Sequence, residues 1–174
     1  TLWPVTMLYA FEYMRYEKRQ RTFFSFFLMA FGVTLGIACA GNLATMYCFY
    51  ELLTLSTVYL VLHPMTERSV RAARAYLAYS IGGAAFGFMG LAFLVMQGAG
   101  GLFTLGGLLT TYSGSIHKLC FVFMMGFLGL SVKAAVFPFH GWLVKAAVAP
   151  TPVTALLHAV AVVKAGAFAC IRFT

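Results

Sequence analysis

The sequence predicts an all-α membrane protein, a bundle of about five to six transmembrane helices of which one is broken. Three observations support this fold class. Apolar residues make up 62% of the 174 residues and charged residues only 9%, too few charges to cover the surface of a water-soluble domain. The apolar residues also form long runs, and a proline interrupts one of these runs.

Four of the apolar runs are long enough to cross a membrane. A bilayer core about 30 Å thick requires about 20 helical residues per crossing, because each backbone polar group must be satisfied within the helix. The runs that meet this requirement are residues 23–41, 43–62, 75–97 and 152–173, and residues 2–14 resemble the end of a further helix. We therefore expect residues 1–174 to form a single transmembrane domain that is a fragment of a longer protein.

The broken helix is predicted in the remaining apolar segment, residues 118–149. A straight helix of that length would measure about 46 Å, which is too long for one crossing and too short for two. Pro138 removes a backbone donor and clashes with the preceding turn, so the helix is predicted to break at residues 136–140. Transporters place such breaks along their ion paths, where protein or a water-filled cavity covers the free backbone groups.

The basic residues predict the orientation in the membrane. They are predicted to form two basic loops, 15–21 and 68–74, which are separated by two crossings and so lie on one side. The excess of positive charge on cytoplasmic loops predicts that this side is cytoplasmic, in a bacterial or archaeal plasma membrane, or faces the matrix or stroma in an organellar inner membrane. The Gly-rich residues 98–117 then lie on the opposite side, as a flexible connection or, alternatively, a gate.

Several function classes are excluded or disfavoured by the same composition. The formal net charge is +8, but nucleic-acid binding requires basic residues clustered on a solvated face, and here they lie between or inside apolar runs. The four cysteines stand singly without a CxxC spacing, which indicates small buried apolar residues rather than metal ligands. We expect no metal and no cofactor in this chain.

Two ionisable residues are predicted to lie deep in the membrane. Glu51 lies about 12 Å along the second span, near its middle, where a lone carboxylate is costly and calls for a cation or a proton. Lys133, five residues before Pro138, is its natural partner. Burial favours the neutral amine of a lysine, whereas a nearby carboxylate favours the ammonium. Such a pair can therefore control whether the lysine keeps or releases its proton, and so act as a proton valve. A purely structural ion pair, or a lysine that snorkels to the interface, are the alternatives.

Four further polar residues follow the break. His158 and Lys164 lie six residues apart in the last span, which in a regular helix means about 9 Å along the axis and about 120° around it. They would therefore need water or a neighbouring helix to form a proton path, and a histidine packed against a carbonyl is the alternative for His158. His140 and Lys145 are candidates for a proton-handling role, although a lysine near a helix end often only snorkels.

These residues give the chain a family resemblance. Residues 132–166, VKAAVFPFHGWLVKAAVAPTPVTALLHAVAVVKAG, and residues 42–56, NLATMYCFYELLTLS, resemble the proton-conducting antiporter-like subunits of respiratory complex I, cation/proton antiporters and membrane-bound hydrogenases. The resemblance implies one inverted repeat of a larger transporter fold. It implies that Glu51 and Lys133 are the family's glutamate–lysine pair, and that His158 and Lys164 belong to its central proton path. Lys145 departs from the acidic or small residue often found there.

The predicted function is that of a proton-translocating membrane subunit of a redox-driven or sodium-coupled ion pump. Its partners would be the lipid bilayer and the other membrane subunits of an oxidoreductase complex of the NADH:quinone type, or of a cation/proton antiporter. No redox centre is expected in this chain. Two alternatives remain at this point: a haem- or quinone-binding electron carrier that uses His117, His140 and His158, and a structural membrane scaffold.

Overall fold

The computed structural model describes residues 2–97, 103 and 114–173. Within those ranges the regular elements are all helical, as the sequence predicts. A 3₁₀ turn, Met14–Tyr16, follows the first helix, and a π-helical turn, Leu156–Val160, joins the last two. The helices are α1 (Leu2–Tyr13), α2 (Gln20–Cys39), α3 (Leu43–Leu62), α4 (Glu67–Met96), α5 (Ile116–Ser131), α6 (Gly141–Ala146), α7 (Thr151–Ala155) and α8 (Val162–Phe173).

Four helical stretches are long and apolar enough to cross a membrane. They are α2, α3, α4 and the continuous stretch Thr151–Phe173, and α5 is a shorter apolar helix. The prediction of an all-α membrane fold is therefore confirmed. The glycine-rich connection predicted at residues 98–117 falls mostly on residues 98–102 and 104–113, which lie outside the described residues.

Helices α2 and α3 form an antiparallel pair. The Asn42 side chain begins α3 by accepting a hydrogen bond from the Thr45 amide at 2.6 Å, which satisfies one of the free amides of the first turn. At the far end, the His63 ring lies 5.3 Å from the Phe23 ring. The end of α3 therefore meets the start of α2, and the basic segments next to both lie at one end of the bundle.

Residues 68–74 were expected to form a basic loop, and this expectation is wrong. They lie in the first two turns of α4, which begins at Glu67. The Thr66 side chain accepts a hydrogen bond from the Ser69 amide at 3.2 Å and so caps the helix there. Since α4 has 30 residues, it extends about 45 Å and projects beyond a bilayer core of about 30 Å.

Glycines bring α4 and α5 into direct backbone contact. A Cβ atom placed on Gly83 would lie 2.8 Å from the Gly129 carbonyl oxygen, and one on Gly90 would lie 2.7 Å from the Gly126 Cα. A Cβ on Gly129 would overlap the backbone of Gly87. Small residues at such a crossing let transmembrane helices approach closely, so dispersion contacts hold them together without a hydrophobic driving force.

The break between α5 and α6 is longer than predicted. The chain is predicted to open at residues 136–140, whereas α5 already ends at Ser131 and α6 begins at Gly141. Ala135 adopts a left-handed conformation with φ 55°, and the peptide bond before Pro138 is cis. The freed backbone groups find other partners, since the Val132 carbonyl accepts from the Trp142 indole at 2.8 Å. Lys133 therefore lies inside the break.

Candidate functional site

Glu51 and Lys133 meet between α3 and the break. The Lys133 Nζ lies 3.3 Å from Glu51 Oε1, where the Lys133 side chain is 1% exposed and the Glu51 side chain 29% exposed. Among the described residues the only other ion pair joins Arg15 and Glu12, two exposed side chains near the end of α1. The buried ammonium of Lys133 is thus compensated by a carboxylate that retains access to its surroundings.

Tyr50 forms the rest of the ammonium's surroundings. The Lys133 Nζ donates a hydrogen bond to the Tyr50 backbone carbonyl and lies 3.5 Å from the centroid of the Tyr50 ring. An ammonium above an aromatic face is attracted by the ring quadrupole, the more so where water is absent. The Tyr50 hydroxyl donates to the Leu130 carbonyl at 2.7 Å, which fixes the ring between α3 and the end of α5.

The backbone that carries Lys133 is held by α6 and α8. The Trp142 indole binds the carbonyl of Val132, and Trp142 itself packs on Tyr76 with 5.0 Å between ring centroids. On α8, a Cβ atom added to Gly166 would overlap the Ala134 amide nitrogen and would lie 2.7 Å from the Lys133 carbonyl carbon. Only glycine at this position lets α8 touch the broken backbone.

Gly166→Ala should therefore displace Lys133. The added methyl group has no space unless α8 moves away from residues 133 and 134, and overpacking of this kind costs about 1–3 kcal/mol. We expect a lower melting temperature of the protein that carries the substitution. Gly32→Ala is the matched control, since a Cβ at Gly32 meets nothing within 4 Å. Equal melting temperatures for the two variants would contradict this packing.

The other predicted site residues do not join the pair. His140, Lys145, His158 and Lys164 are all exposed on the surface of the described chain, and so is Pro138. The angle of 120° between His158 and Lys164 does not apply, because the π-helical turn and Ala161, with φ −124° and ψ −69°, interrupt the regular helix between them. The structure thus brings Glu51 and Lys133 together and leaves the other candidates on outer faces.

Sequence reasoning missed three residues that shape the site. Tyr50, Trp142 and Gly166 hold the ammonium or its backbone, yet each reads as an ordinary core residue in an apolar run. For Tyr50, the sequence offers one indication of a role in the site, which is that it directly precedes Glu51. Past the end of α3, His63 is buried, its Nδ1 has no hydrogen-bond partner among the described residues, and burial lowers the pKa of its imidazole below the ordinary value.

Comparison with known proteins identifies the family. Residues 40–174 match the family described as "NADH:quinone oxidoreductase/Mrp antiporter, TM", and this match includes α3, the break and α8. The chain belongs to this antiporter family. It is 35% identical over 171 residues to the putative antiporter subunit mnhA2 of Staphylococcus haemolyticus, covering 95% of this chain and 21% of that protein. It is also 35% identical over 170 residues to a probable K(+)/H(+) antiporter subunit from Rhizobium meliloti, covering 95% of this chain and 17% of that protein.

Solved structures of membrane complexes share the antiporter-family fold. One chain of respiratory complex I from Thermus thermophilus is 28% identical with a TM-score of 0.72, covering 95% of this chain and 37% of that chain. One chain of the archaeal membrane-bound sulfane sulfur reductase is 26% identical with a TM-score of 0.73, covering 83% and 30%. The chain spans about a fifth of the length of the antiporter subunits it matches. Its spans and family make it part of an integral membrane protein.

Proposed function

We propose that this chain is the proton-carrying part of an ion-translocating membrane subunit, with Lys133 as the proton carrier and Glu51 as the group that controls it. One observation carries the proposal: an ammonium that is 1% exposed lies 3.3 Å from a carboxylate at a helix break inside the membrane. Intramembrane ionisable residues mark ion paths in membrane proteins. The relatives named as antiporter subunits support the assignment.

The geometry suggests how the pair would act. With Glu51 ionised and close, its negative charge stabilises the Lys133 ammonium in a medium of low dielectric constant. When Glu51 gains a proton or moves away, the ammonium loses this compensation and releases one proton from Nζ, which leaves a neutral amine. A redox reaction or a sodium gradient elsewhere in the assembled complex would drive the movement of Glu51.

The released proton would leave along α8. Gly166 contacts the backbone of Lys133, and Lys164, two residues before Gly166 in α8, points to the opposite, exposed face of that helix. His158 follows in the π-helical turn. Both are exposed on the described chain, so we propose that they hand the proton to the rest of the longer subunit. His140 and Lys145 remain secondary candidates, and Lys145 in the last turn of α6 also suits the negative end of the helix dipole.

We also propose the partners of the chain and its orientation in the membrane. The partners are the lipid bilayer and the other membrane subunits of a multi-subunit complex. The end of the bundle that carries the basic segments 15–21 and 68–74 faces the cytoplasm or the matrix, where positive charge accumulates.

Glu51→Gln in the assembled complex tests the proposal. The amide keeps the size of the side chain but removes the charge that controls Lys133, so we expect proton translocation into sealed vesicles to slow by at least about tenfold, or about 1.4 kcal/mol on the barrier. Glu67→Gln is the control, because Glu67 is exposed at the start of α4. If the Glu51→Gln complex assembles and pumps at the wild-type rate, the pair is only a structural scaffold.

A further inference from the structure

An apolar groove lies on the outer face of the bundle, between α4, α5 and the break. It has a volume of about 430 Å³, which is in the range of pockets that hold small ligands. The groove is lined by one face of α4 between Ala78 and Phe86, by two residues of α5, and by Val132 and Phe139 of the break. Apart from the Tyr79 hydroxyl, the side chains that line it are apolar. The groove therefore suits a hydrocarbon chain.

The depth of the groove matches one leaflet of the bilayer. Residues 75–96 of α4 carry no charge and span about 33 Å, close to the thickness of the bilayer core. From Ala78 to Phe86 the groove extends about 12 Å along α4, and it begins just inside the core, at the end of the bundle that carries the basic segments. A transmembrane helix of a partner would need a groove across the whole core, whereas an acyl chain occupies only one leaflet.

Positive charge lies directly next to this end of the groove. The first eight residues of α4 contain three arginines and one carboxylate, a net charge of +2, and these are Arg68, Arg71, Arg74 and Glu67. Arg71 and Arg74 are exposed, and neither forms an ion pair within the part of the chain that the structure describes. Arg71 lies seven residues before Ala78 and Arg74 four residues before it, so both are on the face of α4 that leads into the groove.

We propose that the groove binds one anionic phospholipid, with its phosphate at Arg71 and Arg74 and one acyl chain along α4. Guanidinium groups form strong charge-assisted hydrogen bonds with phosphate oxygens, and basic residues next to a transmembrane helix attract anionic lipids. Gly82 keeps the groove open, since a Cβ there meets nothing within 4 Å. The bound chain packs against the break, because Val132 and Phe139 line the groove. This inference does not depend on the proposed proton carrier.

Photoactivatable lipids test the site in the complete assembled complex. A phosphatidylglycerol and a phosphatidylcholine, each with a diazirine midway along one acyl chain, are added in turn to phosphatidylcholine vesicles that contain the complex, and labelled residues are mapped by mass spectrometry. We expect the anionic probe to label the residues that line the groove about fivefold more than the neutral probe, which is about the effect of one basic residue near an anionic lipid surface. Equal labelling by the two probes would overturn the proposal. Labelling by neither probe would also overturn it, since another part of the complex would then cover the groove.

Two variants separate the headgroup from the acyl chain. Arg71→Gln combined with Arg74→Gln should abolish the preference for phosphatidylglycerol. Gly82→Leu should lower labelling by phosphatidylglycerol to the level of phosphatidylcholine in the wild type, because the leucine fills the groove without a clash at its Cβ. Gly32→Leu is the matched control, since a Cβ at Gly32 also meets nothing within 4 Å, and it should be labelled like the wild type. A preference that survives in the arginine variant, or undiminished labelling of Gly82→Leu, would contradict the lipid site.

Discussion

Lys133→Met should abolish proton translocation while the complex still assembles. Methionine has a similar length and fills the same buried space, but it cannot carry a proton. Glu51 keeps access to its surroundings, since its side chain is 29% exposed, so it can be hydrated without its partner. Loss of a positioned acid–base group costs about 10²-fold or more in rate, and we expect transport below about one-hundredth of the wild-type rate.

The measurement is the proton flux of purified complex in sealed lipid vesicles, with the amount of assembled complex determined in parallel. Lys118→Met is the matched control, because Lys118 is an exposed lysine near the start of α5, and it should pump normally. A Lys133→Met complex that is fully assembled and retains more than half of the wild-type flux would contradict a carrier role for Lys133.

Gly129→Leu should prevent α4 and α5 from packing. The leucine side chain would clash with the backbone of α4, because a Cβ at Gly129 overlaps Gly87 and would lie 2.5 Å from the Gly83 carbonyl oxygen. Backbone atoms cannot move aside as a flexible side chain does, so the cost should exceed the roughly 1–3 kcal/mol of ordinary overpacking. We expect little or no assembled complex in the membrane and a greatly lowered melting temperature of any that forms.

Gly32→Leu provides the comparison for this second variant, since Gly32 lies in α2 and a Cβ there meets nothing within 4 Å. Quantitative detection of the complex in membrane extracts compares the two. Wild-type amounts of the Gly129→Leu complex, with an unchanged melting temperature, would show that α4 and α5 do not cross at these glycines.

The transmembrane helices could be predicted because their signal is local. The span of α3 over residues 43–62 follows from apolar length alone, and its bounds agree with the structure. The start of α4 could not be predicted in this way, because the Thr66 cap extends the helix through a basic stretch that hydropathy excludes from the membrane. A helix can continue beyond the bilayer wherever its first turn is capped.

Only part of the site could be predicted from the sequence, namely the part whose signal is local. A carboxylate and a lysine in apolar runs are visible in the sequence, and Pro138 indicates a break, so Glu51 and Lys133 could be chosen as candidates. The start of the break at Val132 could not, because it depends on contacts with distant residues such as Trp142 and Gly166. The π-helical turn that contains His158 likewise has no signal in a run of apolar residues.

A density map of the assembled complex in a lipid nanodisc would show the Glu51–Lys133 pair directly. We expect the Lys133 ammonium to lie within about 4 Å of the Glu51 carboxylate and to contact the Tyr50 carbonyl, at the break between α5 and α6. A map in which the two side chains point apart into lipid, with a continuous helix through residue 133, would contradict the proposed role of the pair.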